Sequence, residues 1–284
     1  MSGVPGYFPA NKLHPVLRAL REFFYSEGYK ESFPQTRRHI LPACEDERTI
    51  ALYEMTGQKL PLPQTEQMGL EDDVLGTPSL EKVFCLTASY RDEPNPKPRH
   101  DLTFPLFEFE SLGNYIDLLK TSTRLLRFLG YTGDVVTVDY DIVAMRYGVD
   151  ILDHDHEERM LNDYGPAVLL TRFPLEETYW NMKACDDGRH AFKMDAILGG
   201  IETFGTAERE TSVEKMRSQF KTVSDGKYAE KLYQEFGEER VHADLERYLG
   251  HNFVERFGGG IGVTRLIKFL EGQGLMEGLV VRYG

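Results

Sequence analysis

The chain has 284 residues and a formal charge of −13, from 33 basic and 46 acidic side chains. Hydrophobic residues make up 41% and aromatics 12%, which is enough for a packed core and excludes wholesale disorder. No run of about 18 apolar residues occurs and the first six residues lack a charged, then apolar, leader, so a membrane partner is excluded and a cytoplasmic protein is expected. The acidic balance disfavours nucleic acid, DNA above all. Cys44, Cys85 and Cys185 are far apart with no Cys-x-x-Cys, the pattern of free core thiols in a reducing compartment.

In chain order, residues 15–25 carry apolar side chains at helical spacing, with Pro15 in the first turn and Gly28 as terminator. Residues 29–34 read as extended. Residues 60–71 are polar where a strand should turn into a helix, and the plain reading is an N-capped helix. Val83 to Thr87 reads as a buried strand, followed by a proline-stiffened loop at 94–98 and a second strand over 102–110. In that second strand Glu108 and Glu110 share a face, because side chains repeat every two residues.

This hairpin carries chemistry. Arg91 can grip a phosphate oxygen through its fork of donors, and Arg99 and His100 can reach further phosphates from the loop. Phe104 offers a flat face to a base, while Glu93 and Glu108 can hold an amine. Together they suit a nucleoside triphosphate beside an amino acid; the bland alternative is a surface hairpin with ordinary ion pairs.

Residues 115–130 form an amphipathic helix ending at Gly130, and Val135 to Val143 suits a strand. Asp153-His-Asp-His156 invites a metal reading, but the helical run behind it makes a solvated helix start the better one. Asp195 and Glu202 lie seven apart across a glycine turn, which places two carboxylates on adjacent strands, an arrangement suited to Mg²⁺ shared with phosphate oxygens. Arg209 follows after another seven and can grip a carboxylate or carboxamide bidentately; a salt-bridged hairpin is the alternative. Residues 211–249 read as charged helices. A glycine-rich strand then begins at Phe257 and leads into a helix with Arg265 near its start, a place suited to phosphate.

Tyr90-Arg-Asp-Glu93, then His100, Phe104 and Glu108, resembles motif 2 of the class II aminoacyl-tRNA synthetases. Residues 15–34 resemble motif 1, the dimer element of that family, and residues 257–270 resemble motif 3. Asp195, Glu202 and Arg209 match the aspartyl and asparaginyl branch, as does the segment 60–71. The resemblance implies an α+β fold, an antiparallel sheet of six or seven strands flanked by helices. It assigns ATP to Arg91, Glu93, Arg99, His100, Phe104 and Arg265, with Arg91 and Arg265 as the catalytic pair. It gives Mg²⁺ to Asp195 and Glu202, and the amino acid to Thr65, Gln67, Glu71, Glu108 and Arg209.

Two departures stand out. Leu70 occupies the place of an aspartyl-branch lysine, which disfavours aspartate slightly, and Thr264 stands where the family has an acid. The resemblance runs from about residue 14 to 272, and because motif 1 begins almost at once it implies that residues 1–284 are a single catalytic core without the N-terminal OB-type anticodon barrel. It implies amino-acid activation as an acyl-adenylate in a homodimer. The acyl group would pass to ammonia, as in the archaeal-type asparagine synthetase related to asparaginyl synthetase, or to another small acceptor; transfer to a carrier or tRNA, the latter disfavoured by charge, is one alternative. A non-catalytic sensor of ATP or amino acid is the other.

Overall fold

The computed structural model describes residues 9–34, 47–94 and 101–284. An eight-stranded sheet organises them, with helices on both faces. In spatial order its strands are β1 (Lys30–Glu31), β4 (Lys82–Tyr90), β5 (Thr103–Leu112), β10 (Arg256–Gly262), β9 (Ile201–Glu208), β8 (His190–Leu198), β7 (Ala167–Pro174) and β6 (Val136–Asp139). The six central strands pair antiparallel, while β1 joins β4 and β6 joins β7 in parallel. The expected antiparallel sheet is therefore present, with a parallel strand added at each edge. A separate hairpin pairs β2 (Leu52–Met55) with β3 (Gln58–Pro61).

Strand alternation divides the sheet into an apolar face and a polar one. Phe84 of β4, Phe107 and Phe109 of β5, Phe257 and Ile261 of β10, Phe204 of β9 and Met194 of β8 belong to one buried cluster. Helices α1 (Ala10–Ser26), α3 (Tyr115–Phe128) and α9 (Val263–Gly272) cover it through Phe23, Phe24, Leu118, Leu125, Leu266 and Ile267. The ring of Phe24 sits 4.9 to 5.8 Å from those of Phe84, Phe107 and Phe109. Each such side chain contributes about 1.5–3 kcal/mol by leaving water, so this face anchors the sheet. The residues between them, Glu108, Glu110, Lys193 and Asp195, point to the opposite side.

On that side lie α2 (Gln67–Gly76) and the group α6 (Val213–Thr222), α7 (Lys227–Phe236) and α8 (Glu238–Leu249), which close a second core around Trp180, Phe220, Tyr228 and Tyr248. The sheet edge is covered by α4 (Tyr140–Tyr147) and α5 (His154–Tyr164), and α10 (Met276–Tyr283) ends the chain against α1.

Two sequence expectations change in detail, and a third holds. The strand expected over 135–143 stops at Asp139, and α4 starts at Tyr140 because Tyr140, Val143 and Ala144 bury themselves at helical spacing. The first helix starts at Ala10, so Pro15 is interior, its ring buried. Asp153 caps α5, accepting from the amides of Asp155 (3.0 Å) and His156 (3.2 Å), so the Asp-His run is a helix start. Cys85 and Cys185 are buried and free; Cys44 falls outside the described residues.

A cleft on the polar face of the sheet

The polar face opens into a cleft with about 800 Å³ of empty space, counting its mouth, within the size range of small-molecule sites. Arg91, Phe104, Thr65, Gln67, Glu108, Asp195, Glu202 and Arg265, all singled out in the sequence, line it together. Elements distant in sequence thus supply one wall system: β4 and β5, the segment before α2, the β8–β9 hairpin, and the start of α9. Arg99 and His100 lie outside the described residues, and Glu93 is not among those lining the cleft.

Glycine makes the floor. A Cβ on Gly259 would stand 2.2 Å from the Gly205 carbonyl oxygen, and one on Gly258 would collide with the Glu110 carboxylate. Only glycine lets β10 run this close to β9 and leaves the floor open.

The acids of β5 fasten the segment before α2. Glu108 accepts from the Thr65 hydroxyl and, at 2.7 Å, from the Glu66 amide. The Gln67 side-chain amide donates to Glu110 and to the Phe109 carbonyl oxygen. Burial pushes the Glu108 carboxyl up to about 7, against those two hydrogen bonds and Arg209. Burial likewise raises Glu110, to about 8, although Arg209 pulls it back.

Across the cleft, Asp195 and Glu202 face each other over Gly205. Glu202 Oε1 and Asp195 Oδ1 lie 3.2 and 3.8 Å from where a Gly205 Cβ would stand. Asp195 Oδ1 is buried without a hydrogen-bond partner, while Oδ2 accepts from Lys193 at 2.9 Å. Burial raises the Asp195 carboxyl to about 7, with Lys193 opposing and Glu202 adding to the rise. Two hard oxygens, one with no protein partner, converging on a gap fit a Mg²⁺ ion that takes its remaining ligands from phosphate and water. Arg265 joins this seat to α9: its guanidinium donates to the Glu202 carbonyl oxygen (2.7 Å) and lies 3.7 Å from the Glu202 carboxylate.

Phe104 has its ring beneath the Arg91 guanidinium, 5.5 Å from centroid to carbon, so a base would share the ring's surroundings with a cation. Near the start of α9, the buried Thr264 hydroxyl lies 3.4 Å from an Asp101 carboxylate oxygen.

Glu71, Arg209 and Leu70 are not among the residues lining the cleft. Glu71 lies behind the cleft wall, fully buried, where its carboxylate accepts from Asn181, Tyr248 and Arg256. Burial opposes its ionisation, but Arg256, Arg209 and Tyr248 outweigh it and hold the carboxyl below the usual range. Arg209, 1% exposed, sits 3.5 Å from Glu110 and 3.6 Å from Glu71 and is not among the residues lining the cleft. A strand alternation that puts Glu208 or Arg209 on either face could not show this, because the acids that hold Arg209 come from α2 and β5. Leu70 packs with Val74, Val83 and Cys85 rather than facing a ligand.

Lining residues not singled out from the sequence include Lys193, Tyr179, Met182 and Gln64. For Lys193 the signal was present, since it lies two residues before Asp195 in a strand and must share its face.

Together, the antiparallel sheet, the glycine floor and the convergence of Arg91, Arg265 and paired carboxylates define a class II synthetase catalytic fold. The chain belongs to that class: the family model of class II tRNA synthetases for D, K and N matches residues 11–276. The cytoplasmic asparagine–tRNA ligase of Homo sapiens is 24% identical over 246 residues, 72% of this chain and 44% of its own length. The aspartate–tRNA(Asp) ligase of Pyrobaculum aerophilum is 25% identical over 241 residues, covering 72% and 53%. Asparaginyl-tRNA synthetase from Pyrococcus horikoshii, solved with asparaginyl-adenylate, superimposes with a TM-score of 0.72 at 21% identity, over 91% of this chain and 64% of that one. The chain thus spans about half the length of the two relatives.

Proposed function

We propose that the cleft activates an amino acid of the aspartate or asparagine type: the substrate carboxylate attacks the α-phosphorus of ATP, releasing pyrophosphate and leaving an acyl-adenylate. The observation that carries this reading is the meeting of Arg91, Arg265, Asp195 and Glu202 in one cleft with Thr65, Gln67 and Glu108. Arg91 grips the α-phosphate and Arg265 the γ-phosphate, so that charge shifting between phosphates meets fixed cations in a site that needs little rearrangement. Mg²⁺ held by Asp195 and Glu202 would supply further neutralisation of phosphate charge. Thr65, Gln67 and Glu108 orient the amino acid; Arg209 acts from behind, holding Glu110 and through it Gln67.

Acidic net charge alone disfavoured tRNA as acyl acceptor. The relatives named above are tRNA ligases, which supports tRNA as acceptor and lends no support to ammonia. The same kinship supports a cytoplasmic location, and the segment resembling motif 1 a homodimer. Among the described residues no helix is long and apolar enough to cross a membrane. ATP–pyrophosphate exchange with each amino acid tests the first step, and assays with ammonia and with bulk tRNA test the second. Exchange with aspartate or asparagine is expected; exchange with none would overturn the adenylation reading and leave a ligand-binding regulator.

A further inference from the structure

Lys193 stands in an unusual place. It precedes Asp195 by two residues on β8 and therefore shares its face, directed at the cleft. Its ammonium donates to Asp195 Oδ2 at 2.9 Å and lies 3.8 Å from the centroid of the Phe173 ring, with the side chain only 15% exposed. A lysine this enclosed is held in place by its ring and its carboxylate, so it does not swing out to water.

That position changes the charge of the seat. Two carboxylates alone would present two negative charges to a divalent ion; the ammonium bonded to Asp195 offsets one of them. Asp195 Oδ1 is buried without a protein partner, and the Glu202 carboxylate lies 3.7 Å from the Arg265 guanidinium. A divalent ion here meets both a reduced negative field and a neighbouring positive charge. Phosphate oxygens entering the same cleft meet a compact cation with donors to spare, the chemistry of a lysine phosphate contact.

We propose that Lys193 is a built-in nucleotide-positioning cation: it holds triphosphate oxygens together with Arg91 and Arg265, doing part of the divalent ion's work and weakening the dependence of nucleotide binding on that ion. The proposal rests on the reading of this cleft as an ATP site. Its chemistry is electrostatic; no bond is made or broken at Lys193.

The test is calorimetric titration of the full chain with a non-hydrolysable ATP analogue, once in EDTA and once in saturating Mg²⁺, alongside Mn²⁺ binding followed by electron paramagnetic resonance without nucleotide. Wild type should bind the analogue in EDTA within about tenfold of its affinity in Mg²⁺. Lys193→Met, which keeps the apolar stem over Phe173, should lose at least tenfold in EDTA, lose much less in Mg²⁺, and bind Mn²⁺ more tightly. Lys193→Arg should keep most of the EDTA binding and serves where the Met variant is poorly folded. Equal EDTA affinity of Lys193→Met and wild type, or wild-type binding that vanishes in EDTA, overturns the proposal and leaves the ATP site standing. Absence of analogue binding by wild type under both conditions overturns the ATP reading and this proposal with it.

Discussion

Replacing Gly259 by alanine should damage the fold far more than the same change one residue later. The new methyl at 259 would meet the Gly205 carbonyl oxygen at 2.2 Å and the Thr206 Cα at 2.6 Å, both backbone atoms of β9. Strand β10 is hydrogen-bonded on both sides, to β5 and β9, so it cannot retreat without breaking a ladder. Overpacking of this kind costs about 1–3 kcal/mol where side chains can adjust, and a backbone collision belongs at or beyond the upper end. At 260 the nearest atom is Leu106 Cδ1 at 3.1 Å, the far end of a side chain that can turn away. Alanine also recovers roughly 0.5–1 kcal/mol of glycine's chain entropy, so Gly260→Ala should be close to neutral. In urea, a difference of about 3 kcal/mol reads as a midpoint lower by about 1 M for Gly259→Ala, at a slope of roughly 3 kcal/mol/M. Equal midpoints for the two variants would refute the claim that glycine is required for strand approach rather than for the cleft's open floor.

Arg91→Ala should weaken ATP binding about tenfold to a hundredfold, the worth of one charge-assisted hydrogen bond, with fold stability unchanged because Arg91 is exposed; unchanged affinity by calorimetry would remove it from the phosphate site. Arg256→Met should destabilise by about 3–5 kcal/mol in urea, since Glu71 would lose its closest cation in a fully buried setting, and adding Glu71→Gln should recover part of the loss. Glu108→Gln should show a pH-dependent effect. The folded carboxyl is raised to about 7 above an unfolded value near ~4.3, so its stability contribution is fully present below the unfolded value and is lost as pH rises through 7. The variant, which carries no such charge, should therefore gain about 2–4 kcal/mol on wild type between pH 4.5 and pH 8.5, and a difference independent of pH would contradict the buried-acid account.

Much of this site was legible because strand periodicity is strict. Glu108 and Glu110 had to share a face, and Asp195 and Glu202 had to meet across their turn; the order of segments supplied the rest of the resemblance. What escaped the sequence depends on contacts between distant elements. Arg209 reads as a ligand grip until α2 and β5 bring Glu71 and Glu110 against it, and a period-two pattern carries no information about which acids arrive there. That Leu70 packs into a small apolar cluster with Val74, Val83 and Cys85 likewise depends on elements the sequence does not bring together. The strand ending at Asp139 was overrun because Val143 is a strand former by propensity but belongs to the buried stripe of α4. Lys193 is legible from its place two residues before Asp195 on β8, which puts both on one face.

Soaking or co-crystallising the chain with Mg²⁺ and the methylene analogue of ATP tests the central claim most directly. The account predicts density in the cleft between β5 and the β8–β9 hairpin, with the α-phosphate on Arg91, the γ-phosphate on Arg265, and the metal bridging phosphate oxygens to Asp195 and Glu202. A nucleotide bound in a different cavity, or one in this cleft with either arginine turned away from its phosphates, would contradict it.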